Sequence, residues 1–190
     1  MRIAQVAPLY ESCPPQLYGG TERVDSYLTE ELVGLGHEVT LFASGDSETS
    51  ATLEPCCERG LSRDRRIKDP VAHHLLMLDR VRQRAHQFDV IHCHTEYLHP
   101  PFLAECWNKT VTTMHGRLDL PELQAIFGEF PANAAGLDLD GTACAAGLGA
   151  LARHGLSWLA ANPASAGDRQ RRLSGVSRPH QSREGPRPRD

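Results

Sequence analysis

Residues 1–46 read MRIAQVAPLYESCPPQLYGGTERVDSYLTEELVGLGHEVTLFASGD, and the order of patterns in them decides the fold. RIAQVAP carries Ile3 and Val6 in a short apolar run closed by Pro8, which cannot donate to a sheet ladder, so it predicts a strand. A loop from Leu9 to Gly20 follows. Thr21 is placed to cap a helix, with Glu22 against its positive end. Val24, Tyr27, Leu28, Leu32 and Leu35 recur at helical spacing and predict one apolar stripe facing the core. Gly36 reads as the helix C-cap, and HEVTLFAS as a second strand closed by Ser44-Gly45-Asp46. Strand, loop, helix, strand is a βαβ unit, which requires parallel strands, helices over the sheet and a right-handed crossover.

The alternation continues. Residues 46–70 are polar, hold Pro55 and Pro70 and carry the charge run ERGLSRDRRIKD, so they predict mostly loop with a short helix. Ala72 to Gln87 predicts a helix with Leu75, Leu76, Leu78 and Val81 on the sheet, and His73-His74 at its start. FDVIHCHT predicts a strand, His99 to Trp107 a short helix led by prolines, TVTTMHG another strand, and LDLPELQAIFGEF a helix with Pro121 in its first turn. The expected class is α/β, a Rossmann-like parallel sheet with helices on both faces.

Composition narrows the function. Residues 1–131 hold 12 Lys or Arg against 19 Asp or Glu, a net of −7, which argues against a broad nucleic-acid surface. Six cysteines without CxxC spacing suit reduced thiols in an intracellular protein, and a cytoplasmic location is expected. The apolar run after Arg2 is broken by Gln5 and Pro8, too short for a secretory signal, and no stretch is long enough to span a bilayer. Peripheral association with a membrane stays compatible with the sequence.

In an open parallel sheet, ligands bind beyond the carboxyl ends of the strands. Four features fall there: Gly19-Gly20, Ser44-Gly45-Asp46, His92 with His94 and Glu96, and His115-Gly116-Arg117. The paired glycines read either as a permissive turn or as backbone left open to a phosphate or sugar hydroxyl. They lack the G-x-G-x-x-G spacing and any Walker lysine, which argues against dinucleotide or P-loop chemistry. His92 and His94 share one face of a strand and have three readings: local hydrogen bonding, an N,N,O metal set with His115 and Glu96, or substrate contact. His115 can donate to a sugar oxygen. Arg117 can meet a carboxylate or phosphate, or pair with Asp119 or Glu122.

Taken together, RIAQVAPLYESCPPQLYGGTERVDSYLTEELVGLGHEVTLFASGDS, HHLLMLDRV, FDVIHCHTEYLH and TVTTMHGRLDLPEL resemble the N-terminal domain of family 4 glycosyltransferases, retaining enzymes of the two-domain GT-B architecture. The resemblance covers residues 1–131. It implies transfer of a sugar from a nucleotide sugar to an acceptor hydroxyl, with no metal or other cofactor. It further implies that Gly19, Gly20 and Thr21 face the donor phosphates, that His115 approaches the donor sugar, and that His94 and Glu96, with Arg117, shape the acceptor side. Two residues depart from the pattern: Asp25, where such helices are usually apolar, and Cys93, where a bulkier residue is common.

At Pro131 the composition changes. Every Ile, Phe and Tyr, and every Val but Val176, precedes it, and residues 132–190 are rich in Ala, Gly, Arg and Pro. This stretch reads as a weak helix followed by a disordered extension from Asn162, of genuine or frameshifted origin. The basic pair and carboxylate motif that such enzymes carry in a second domain have no counterpart in it, so the chain is expected to be inactive alone. A sugar- or phosphate-binding remnant without chemistry is the alternative, and a metal-dependent hydrolase ranks below it.

Overall fold

The computed structural model describes residues 1–117 and 120–130, all within one compact unit. The expectations for residues 132–190 lie outside the described residues. Strands β1 (Arg2–Val6), β2 (Glu38–Ser44), β3 (Thr52–Cys57), β4 (Val90–Cys93) and β5 (Thr110–Thr112) form one sheet in the order β3-β2-β1-β4-β5. Every pairing is parallel. Helices α1 (Gly20–Gly34), α2 (Pro70–Arg84), α3 (Pro100–Leu103) and α4 (Pro121–Glu129) connect or follow them. The α/β class and Rossmann-like sheet expected from the sequence are those observed.

The register sorts side chains by face. Ala4, Val6, Phe42, Ile91 and Cys93 point to one side, where α2 adds Met77, Leu78 and Val81 to a continuous apolar cluster. Ile3, Gln5, Leu41 and His92 point to the other, and α1 lies over β1 and β2 there. Phe42 and Phe88 meet edge to face at 5.9 Å between centroids.

Helix α1 ends as its sequence predicts. Gly36 has φ +83, the N–H of Gly36 donates to Val33 O and that of His37 to Leu32 O, a Schellman closure. Its start and its faces differ from expectation. The helix begins at Gly20 with Gly19 as N-cap, so Thr21 lies inside the first turn and caps nothing. The buried face is Glu22, Asp25, Ser26, Thr29 and Leu32, while Val24, Tyr27 and Leu35 are exposed. In α2 the buried side chains are His74, Met77, Leu78 and Val81, and Leu75 and Leu76 are exposed.

The segment expected to be mostly loop contains β3. Pro55 is tolerated because β3 is an edge strand, with a register irregularity opposite Ala43 and Ser44. Pro55 has no N–H to give, and its C=O accepts from Arg80 Nη1 at 3.0 Å. The expected short helix is the single 3-10 turn Leu61–Arg63.

Candidate functional site

A cleft of about 550 Å³ opens at the carboxyl ends of β1 and β4. Gly19, Gly20 and Thr21 line it from the start of α1, His94 and Glu96 from the end of β4, and His115 from the loop after β5. Three of the four strand-end features contribute to it, although His92, Gly116 and Arg117 are not among the described lining residues. The fourth does not: Ser44 Oγ donates to Asp46 Oδ1 at 2.7 Å, and Asp46 accepts the Gly60 N–H at 3.0 Å, so Ser44-Gly45-Asp46 ties loops together.

The two glycines have different reasons to be glycine. A Cβ on Gly19 would stand 2.8 Å from Pro15 Cβ and 2.9 Å from Glu22 Oε2, closer than carbon atoms tolerate. Around Gly20 a Cβ would meet nothing within 4 Å. Gly19 is therefore required by packing, and Gly20 leaves open space beside the backbone of a helix N-terminus. Glu22 occupies much of that positive end: its Oε1 accepts the Glu11 N–H at 3.2 Å, and its own N–H bonds its carboxylate.

At the other wall the histidines bond within the protein. His92 Nε2 is 2.8 Å from Thr113 Oγ1, and His94 Nδ1 is 2.8 Å from His115 Nε2. The rings of His92 and His94 lie 4.2 Å apart and those of His94 and His115 5.1 Å apart, the latter stacked. Local hydrogen bonding, one of the three readings of these histidines, is thus present, from His92 to Thr113 and between His94 and His115. Among the described residues no group of three or more His, Cys, Asp or Glu is placed to hold a metal ion. Burial pushes His92 down to about 3 and lowers His94 and His115 as well, so all three imidazoles are neutral near pH 7.

Glu96 stands at φ +51 and accepts the His115 N–H on Oε1 at 3.0 Å. Its carboxyl also takes the Gly116 N–H, while burial raises its pKa. Glu96 thus clamps the His115 loop as well as lining the cleft. Arg117 is exposed and is not among the described residues that line the cleft. Its expected partner Asp119 lies outside the described residues.

Several residues that line or brace the cleft were not legible as such. His74 lies in the cleft wall, accepting the Leu9 N–H on Nε2 at 3.0 Å while Nδ1 faces Pro70 O at 2.8 Å, which fixes the loop after β1. His99, wholly buried, links Thr112 Oγ1 at 2.7 Å to Thr95 Oγ1 at 3.3 Å and so locks the β4 and β5 ends together. Glu11, Tyr10, Tyr18 and Tyr97 also line the cleft. No lysine or arginine is among the described lining residues, whereas Glu11, Glu22 and Glu96 are. Asp25, the departure noted on α1, is fully buried, and its Oδ1 lies 3.1 Å from His94 Nε2.

Among solved structures the chain is similar to AviGT4, a glycosyltransferase involved in avilamycin A biosynthesis, at 23% identity and a TM-score of 0.40. That match covers 67% of this chain and 38% of the other, so this chain spans well under half the length of that enzyme. No curated protein matches the sequence. Residues 18–137 match the family Glycosyltransferase Family 4, a span that takes in the glycine loop, the β4 histidines and His115. With that match over most of its length, the chain belongs to glycosyltransferase family 4.

Proposed function

We propose that the cleft is the acceptor-side half of a glycosyl-transfer site, in which a sugar passes from a nucleotide sugar to an acceptor hydroxyl with retention at the anomeric carbon. The observation that carries this reading is the meeting, on one cleft, of open backbone at Gly20 and the neutral imidazole of His115. A phosphate or sugar oxygen can approach the amides around Gly20 and Thr21, and His115 can hydrogen-bond a sugar oxygen. His94 bonds the His115 ring and Glu96 its backbone N–H, and in this reading Arg117, outside the cleft lining, meets the acceptor. No cofactor takes part in this reading, because the chief demand is electrostatic support for the departing diphosphate.

That support is what the cleft lacks. Its described lining has carboxylates and no lysine or arginine, and Glu22 already holds the helix terminus. In this reading residues 1–131 are a Rossmann-like domain of a GT-B enzyme. The diphosphate is gripped by a second, facing domain, and the chain alone does not turn over. Residues 132–190 are then an extension whose origin is settled by reading the coding DNA in its other frames. The cytoplasm is the compartment, in keeping with cysteines that are free throughout the described residues.

The same observation favours, second, a domain that binds an acceptor sugar without chemistry. Incubating the full chain with labelled nucleotide sugars and hydroxyl acceptors separates the readings, since robust turnover overturns the predicted inactivity. Calorimetry with the same acceptors tests the cleft. Gly20→Val should weaken binding about tenfold, near 1.4 kcal/mol, and binding indifferent to both Gly20→Val and His115→Ala overturns the placement.

A further inference from the structure

Asp25 is fully buried on α1, and neither of its carboxyl oxygens completes an aligned hydrogen bond. One of them nevertheless stands 3.1 Å from His94 Nε2, and His94 Nδ1 stands 2.8 Å from Nε2 of His115 in the cleft wall. Three elements, α1, the end of β4 and the loop after β5, thus contribute one residue each to a line running from the interior to the cleft. We infer that Asp25 and His94 are positioning residues that fix the ring hydrogen of His115 on Nδ1, so that a ligand meets His115 as a neutral hydrogen-bond donor and not as a base.

The physical argument starts from the carboxyl. An ionised carboxylate that is wholly buried, with Glu22 nearby, is costly, so the acid form is favoured at Asp25. In that form Asp25 has an O–H to give, and His94 Nε2, 3.1 Å away, is the acceptor it reaches once the two side chains turn into line. His94 must therefore carry its hydrogen on Nδ1 and donate it to His115 Nε2, which leaves the hydrogen of His115 on Nδ1. Burial, and the imidazoles of His92, His115 and His99 around it, keep His94 uncharged. The titratable groups facing the pair are Cys13 in the loop after β1, Glu22 on α1, His92 and Cys93 on β4, and His99 and His115 beyond it. Ionising Asp25 would reverse every link, placing hydrogens on His94 Nε2 and His115 Nε2 and turning Nδ1 of His115 into an acceptor.

A donor at His115 selects an oxygen with lone pairs, such as a sugar hydroxyl or phosphate oxygen, over an ammonium group. This consequence rests on the glycosyl-transfer reading, whereas the placement of the hydrogens does not.

The test is the tautomer itself, read from long-range proton–nitrogen correlation spectra of the full chain labelled with 15N-histidine, at pH 7 and without any sugar. The wild type should carry its ring hydrogens on Nδ1 of both His94 and His115. Asp25→Asn retains an N–H that can face His94 Nε2 and should preserve that pattern. Asp25→Val removes the donor and should move the hydrogen of His94 to Nε2, with His115 following. Valine leaves the buried His94 Nε2 without a polar neighbour, so urea unfolding of the variant accompanies the spectra, and the wild-type and Asp25→Asn patterns decide the inference should valine fail to fold. Wild-type spectra with the hydrogen on Nε2 of His94, or an unchanged pattern in Asp25→Val, would overturn the inference. Because no ligand is present, that outcome leaves the transfer reading standing, and a failed transfer assay leaves the tautomer result standing.

Discussion

Gly19 and Gly20 are neighbours with opposite sensitivities. Alanine at Gly19 drives a methyl group into Pro15 and the Glu22 carboxylate, an overpacking expected to cost about 1–3 kcal/mol. Alanine at Gly20 meets empty space at the start of a helix and should leave stability within about 1 kcal/mol of wild type or raise it. Urea denaturation of the two variants checks this, and equal losses would mean that Gly20 too is a packing residue. At this scale the sequence located the loop but not the division of labour within it. That division depends on the approach of Pro15 and of a side chain from the following turn, and no spacing rule encodes it. Asp25 is the reverse case. Its oddity on the helix was visible in the sequence, but its partner His94 lies on a different element and came into view only with the sheet assembled.

At the scale of the element, periodicity identified α1 and α2 as helices and placed Leu32, Leu78 and Val81 inward correctly, but misassigned the rest of their faces. A period of 3.6 detects a stripe, but which stripe faces the sheet is set by what lies beneath. The first turns of α1 overlie the polar cleft, so Glu22, Asp25 and Ser26 turn inward and Val24 and Tyr27 outward. In α2 the apolar run LLML offers two possible faces, and the sheet selects Met77 and Leu78. Leu76→Lys should therefore change stability by no more than about 0.5 kcal/mol, whereas Leu78→Ala should cost about 2–5 kcal/mol. Equal effects in thermal or urea unfolding would contradict the observed rotation of α2. Strand β3 escaped the sequence because two signals, Pro55 and the flanking polar residues, argue for loop wherever a strand is assumed to be central. An edge position removes the objection.

For the molecule as a whole, the buried histidines make acid the vulnerable direction. Burial holds His92 and His99 down to about 3, against 6.5 for a free imidazole. Between those values the unfolded chain binds more protons than the folded one, so stability present above pH 6.5 is lost as pH falls toward 3. Each histidine can contribute up to about 1.4 kcal/mol per pH unit. Asp25, Glu22 and Glu96 have raised pKa values and act in the opposite sense, so the histidine contribution is best isolated by difference. His99→Gln should be less stable than wild type at pH 7, through loss of its bonds to Thr112 and Thr95. The gap should narrow between pH 6.5 and pH 5 in urea titrations, and a constant gap would show that His99 is not a source of acid sensitivity.

The β3 border of the sheet carries a separate implication for how the protein behaves in company. At its midpoint Pro55 can give no hydrogen, and the oxygen it could have offered is already claimed by Arg80. Arg84 adds a charged neighbour through Glu54 at 2.7 Å. A foreign strand aligning along this margin would find its central rung missing and a pair of guanidinium groups at hand, so this margin is guarded against fibrous stacking by backbone chemistry and charge together.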